Sequence, residues 1–139
     1  MKPIYALALL FGASLAVTSS ARAQTPAVEA HIPFDFTVAN TWMPAGDYVI
    51  SSPLMHVVQV RKSDGSAFAS VIAMHSNHES RSGSKLEFTK YGDRYFLHRV
   101  LCPTNTAMND DLARSKSEKK ARTLEASIHD GEEILLAAN

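Results

Sequence analysis

His75, His78 and Glu79 place two imidazoles and a carboxylate within five consecutive positions. Groups of that kind hold zinc or copper when they converge. The spacing is i, i+3 in a polar stretch, whereas a helical zinc pair uses i, i+4 with a distant third ligand. His98 or Cys102 would complete a set only if the fold brought them near. A solvated polar loop is the simpler account, and no cofactor is expected.

Other chemistry-bearing spacings are weaker. Ser82 and Lys85 match a Ser-x-x-Lys pair, but the companion elements of penicillin-binding enzymes are missing. No nucleophile elbow, phosphate loop or dinucleotide fingerprint occurs. Asp110-Asp111 and Glu132-Glu133 are adjacent pairs, and adjacent side chains do not face one another as an acid/base couple must. No catalytic residue is therefore assigned. Arg114, Lys116, Lys119, Lys120 and Arg122 form a basic run that reads as a solvated helix face, with Glu118 and Arg122 paired at i, i+4. Trp42, the only tryptophan, is the candidate anchor for a ligand or partner.

The chain opens with an address. Lys2 precedes an apolar run over residues 6–17, and Ala21-Arg22-Ala23 puts small residues at −3 and −1 of a cut before Gln24. That is the pattern of a Sec-type signal peptide over residues 1–23. The run is shorter than the roughly 20 apolar residues of a membrane span. A periplasmic or extracellular location follows, with no transmembrane segment in the mature chain. Cutting 23 of 139 residues leaves 116, one domain by length. Removing Lys2 and Arg22 leaves 12 basic against 14 acidic side chains, net −2, which offers nucleic acid no attraction. Cys102 is the only cysteine, so no internal disulfide can form; it reads as a small buried residue at a strand end.

The elements follow from periodicity. Val28, Ala30, Ile32, Phe34, Phe36 and Val38 alternate with polar residues, the mark of a half-buried strand, with Pro33 as an edge or a break. Residues 40–47 read as a turn, 48–50 as a strand ended by Ser51-Ser52-Pro53, and 55–61 and 67–75 as strands joined by Asp64-Gly65. The strand at 67–75 is apolar on both faces and belongs at the centre of the sheet. Residues 85–101 form a second hairpin. Residues 110–128 read as a helix capped by Asn109 or Asp110, with a stripe of Ala113, Ser117, Ala121, Leu124 and Ile128. Residues 132–138 read as a closing strand. The expected fold is a mainly β, small antiparallel barrel or sandwich of six to seven strands with one C-terminal helix.

Three segments in order carry a resemblance: HIPFDFTV at 31–38, MPAGDYVI at 43–50 and KYGDRYFL at 90–97. With their IPFDFxV, PAGxY and YGDxYFL motifs they resemble a group of small, exported, functionally uncharacterised bacterial proteins of acidobacteria-type soil bacteria. The resemblance covers nearly all of the mature chain. It implies export and a compact β domain, and carries over no catalytic residue. Trp42-Met43, and the histidines His75 and His78 at the start of the 76–84 loop, depart from the pattern.

The leading expectation is an exported, non-enzymatic β domain that binds or supports something: an envelope protein, a glycan or a small apolar ligand. The alternatives are a carrier that encloses an apolar ligand inside the β unit, and a metal-binding protein or enzyme built on His75, His78 and Glu79.

Overall fold

The computed structural model describes Thr25 and residues 27–78, 80–103, 108–125 and 131–139. Residues 1–23, where an export signal is expected, Glu79 and Ile128 lie outside the described residues. Among those described, ten strands and one helix occur: β1 (Ala27–Ile32), β2 (Phe36–Val38), β3 (Thr41–Met43), β4 (Gly46–Leu54), β5 (Val57–Lys62), β6 (Phe68–His75), β7 (Ser84–Tyr91), β8 (Arg94–Leu101), β9 (Asp110–Leu112), α1 (Lys116–Glu125) and β10 (Glu132–Ala138). The fold is mainly β, with one helix near the C-terminal end.

Strands pair antiparallel in the order β1-β4-β5-β6-β9-β8. One edge of β8 is taken by β7, which in turn pairs with β10. Its other edge is shared by β9 and by β2, which lies parallel to it and carries β3. The ladder is not closed. At its two ends, however, Glu29 of β1 and Asn139 exchange two backbone hydrogen bonds of 2.7 and 2.9 Å, the pattern of a hydrogen-bonded antiparallel pair.

The long strand expected at 28–38 is two strands. Pro33 has no N–H to give to a ladder. The chain leaves β4 there and joins β8 at Phe36, four residues after the end of β1. The break lets one alternating face serve both halves: Val28, Ala30, Ile32, Phe36 and Val38 are all buried. Phe34, at the corner, stacks on Tyr95 at 4.0 Å and meets Phe88 edge-on at 5.2 Å. Phe36 meets both Phe88 and Tyr48 edge-on. These rings fill the core, each fully buried one contributing about 1.5–3 kcal/mol. The Tyr48 hydroxyl donates to the Pro44 carbonyl, and burial pushes its pKa up to about 12.

Two further expectations change. β4 does not stop at Ser51. It runs to Leu54 through a bulge between Ser51 and Leu54, which accommodates Pro53 where β1 has already ended. Residues 110–112 are not the start of a helix. They form β9, held between β6 and β8 with Leu112 buried, so tertiary pairing overrides a weak helical preference. The helix begins six residues later, at Lys116.

Ser115, not Asn109 or Asp110, caps it: the Glu118 N–H donates to Ser115 Oγ at 3.0 Å. Ser115 and Glu118 stand at the spacing of a capping box, and the Ser115 backbone offsets part of the desolvation that raises the Glu118 pKa. The turn between β2 and β3 adds a second cap, since Asn40 Oδ1 accepts the Ser117 N–H at 3.4 Å. The docked face is Glu118 and Ala121, with Ala121 packed on Tyr91 and Phe96. Leu124 is 66% exposed instead of docked. The Glu118 ion pair is to Arg114, at 3.7 Å, not Arg122.

Candidate functional site

Two neighbouring rows of side chains cross the sheet from β10 to β6, one on each face. The inner row runs Leu136, Leu86, Val100, Asp110, His75, each directly opposite the next. Leu86 and Val100 are core residues, so Asp110 is a carboxylate in an otherwise apolar line. It is 4% exposed, and its Oδ2 has no hydrogen-bond partner among the described residues. Desolvation pushes its pKa up, partly offset by the nearby His75 and His56 imidazoles.

Above Asp110 the sheet ends in a cleft of about 510 Å³. One wall is the β4–β5 hairpin: Ser52, Pro53, Leu54, Met55 and His56. His75 and Asp110 form the other. Leu54 and Val57 pair directly, leaving Met55-His56 as a two-residue tip, with His56 in the left-handed region at φ 64°. The Ala73 N–H donates to the His56 carbonyl at 2.9 Å and ties the tip to β6. Leu54 and Met55 are exposed, Met55 by 84%. The exposed patch continues across the strands, because Leu54, Val57 and Ile72 stand in one row.

The outer row runs Leu135, Glu87, Arg99, Asp111, Met74. Arg99 sits between the two acids and donates to both, through Nη1 to Glu87 and through Nε to Asp111. Desolvation pushes the Asp111 carboxyl up, and the hydrogen bonds from Arg99 and Ser76 more than offset this, leaving it below its usual range. A bulge lies beside this row: Glu87 opposes Arg99 while Phe88 opposes Leu97, so His98 is the extra residue. A bulge re-aims side chains, and here His98 and Arg99 line one polar cleft of about 580 Å³ with His78, Arg114, Arg122 and Glu133. His98 Nδ1 is buried with no hydrogen-bond partner among the described residues. Burial, then the Arg99 and Arg114 charges, push the His98 pKa down.

The sequence candidates are therefore dispersed. His75 lines the cleft under the hairpin and His78 lines the polar cleft, while Glu79 lies outside the described residues. No three metal-ligating groups converge among the described residues. Trp42, on β3, is 63% exposed and borders a third cleft with Asp35, Asn40, Asp93, Arg94 and Tyr95. Cys102 is buried just past β8, where Ser84 Oγ donates to its sulfur at 3.6 Å.

Sequence reasoning missed Asp110 because an acid before a helical composition reads as a cap. Its one available signal was alternation through Asp110, Asp111 and Leu112. It missed His56 and Met55 because they read as the start of a strand.

Comparison with known protein families, with curated proteins and with solved structures returns no match. The site must be read from its own chemistry.

Proposed function

We propose that the chain is an exported, non-enzymatic β domain that binds a small ligand with an apolar body in the cleft under the β4–β5 hairpin. The supporting observation is the pairing of an exposed apolar wall, Pro53, Leu54 and Met55, with a buried carboxylate at Asp110 whose Oδ2 has no hydrogen-bond partner among the described residues. Binding sites combine mostly apolar linings of about 300–1,000 Å³ with a few placed polar groups. The contact between Glu29 and Asn139 supports a barrel-like arrangement, drawn together at one residue pair. Its interior is occupied by Phe34, Phe36, Phe88 and Tyr48, which favours a ligand at the end of the sheet over one carried inside.

Export to the periplasm or beyond rests on residues 1–23. Protein recovered from the periplasm should begin at Gln24 by N-terminal mass analysis. Native mass spectrometry of that protein should find a small molecule that is lost from a Leu54→Ser, Met55→Ser variant. Retention of the same molecule by the variant would move the site elsewhere.

A second reading has its own observation. Exposed Trp42 beside Asn40, Asp93 and Arg94 offers a stacking face with polar groups around it, a surface suited to a glycan or an envelope protein. Quenching of Trp42 fluorescence by cell-wall glycans would favour it.

A further inference from the structure

Asp110 defines what the cleft under the hairpin can recognise. Its Oδ2 is buried and has no donor among the described residues. A buried acceptor left without a donor bears the full desolvation penalty of that group. An N–H or O–H brought by a ligand would recover that cost. An anion would be repelled by the carboxylate. A metal ion would need further ligands, and no three converge among the described residues. The remaining walls are Pro53, Leu54 and Met55, with His56 and His75 at the sides. In their neutral form these imidazoles each offer one further acceptor nitrogen.

We propose that the cleft takes an organic ammonium: a cationic N–H head set on Asp110, and an aliphatic or aromatic body against Pro53, Leu54 and Met55. The inference rests on the reading of this cleft as a binding site and adds the chemistry of the head group. Charge complementarity carries it. A hydrogen bond between ionised groups out of water is worth more than a neutral one, so the ammonium is preferred to an alcohol of the same length.

The test titrates the purified protein at neutral pH with octylammonium, 1-octanol and octanoate, read by methyl shifts of Leu54 and Met55 and by calorimetry. Octylammonium should saturate, and should bind about tenfold or more tighter than octanoate. Asp110→Asn should lose about tenfold in octylammonium affinity and leave 1-octanol unchanged. Equal binding of the three probes, or an unchanged D110N, would overturn the head-group assignment and leave the cleft as a binding site. Absence of any saturable shift at Leu54 and Met55 would overturn both readings. Should D110N fail to fold, the octylammonium to octanoate ratio in the wild-type protein still decides.

Discussion

Asp110 and Asp111 are neighbours in the chain that face opposite sides of the sheet, and the two carboxylates have opposite fates. Asp111 lies in the outer row and is gripped by Arg99. Asp110 lies in the inner row with an oxygen that nothing described satisfies. Strand alternation alone separates them. The pair thus divides labour: one acid ties β9 to β8 through Arg99, and the other stands at the foot of a cleft.

That division predicts opposite responses to neutralisation. Asp110→Asn removes a buried charge whose Oδ2 accepts no hydrogen bond among the described residues, and should stabilise the protein by about 1 kcal/mol at pH 7. Asp111→Asn weakens the Arg99 contact and should destabilise by a similar amount. Urea unfolding of both variants checks the signs.

Arg99 is the hub of the outer row. Its side chain and that of Glu87 are 14% and 10% exposed, so little water is available to replace a lost partner. Arg99→Met should cost about 3 kcal/mol, because it leaves Glu87 and Asp111 facing each other without a counter-charge. Adding Glu87→Gln should recover part of that loss, since one of the two stranded charges is gone. A double mutant no more stable than R99M would show that Arg99 acts through packing of its stem.

The cap of α1 offers a local test. Ser115→Ala removes the acceptor for the Glu118 N–H and should cost about 1 kcal/mol. Asn40→Ala removes a longer bond to the Ser117 N–H and should cost less. Thermal unfolding should rank S115A below N40A, and N40A below wild type.

What was legible in the sequence is what local chemistry dictates. The Asp64-Gly65 turn forms as expected, with Gly65 at φ 76° and Asp64 Oδ1 accepting the Ser66 N–H at 2.8 Å. The hairpin at 85–101 forms too, with Gly92 at φ 58°. Residues 132–138 are a strand because Ile134, Leu136 and Ala138 share a face and pair with β7. The site was not legible, because register made it. Nothing near Asp110 in sequence says that His75 will stand opposite it, or that residues 54–56 will roof both. The same applies to β6. Its apolar residues on both faces indicated a central strand, and β6 does lie between β5 and β9. Nothing described covers its outer face, where Ile72 is 75% exposed.

The titrating groups predict a stability profile with a particular sign on its acid side. The His98 pKa is lowered from 6.5 in the fold. As pH falls through 6.5 the unfolded chain takes up a proton that the folded protein does not yet bind, so stability falls. The loss is complete once pH passes below the folded value. Asp110 and Glu118 work the other way. Desolvation raises both pKa values, so the folded protein takes up their protons first and regains stability as pH falls through that range. Asp111, held low, then loses its contribution at still more acid pH. The outcome is a dip on the mildly acid side of neutrality, a partial recovery, and a final fall. His98→Gln should abolish the first dip and leave the acid limb intact. Asp110→Asn should reduce the recovery and leave the dip. Melting temperatures of the wild type and both variants, taken across the range from neutral to strongly acid, separate these effects. An unchanged dip in H98Q would place its origin in another group.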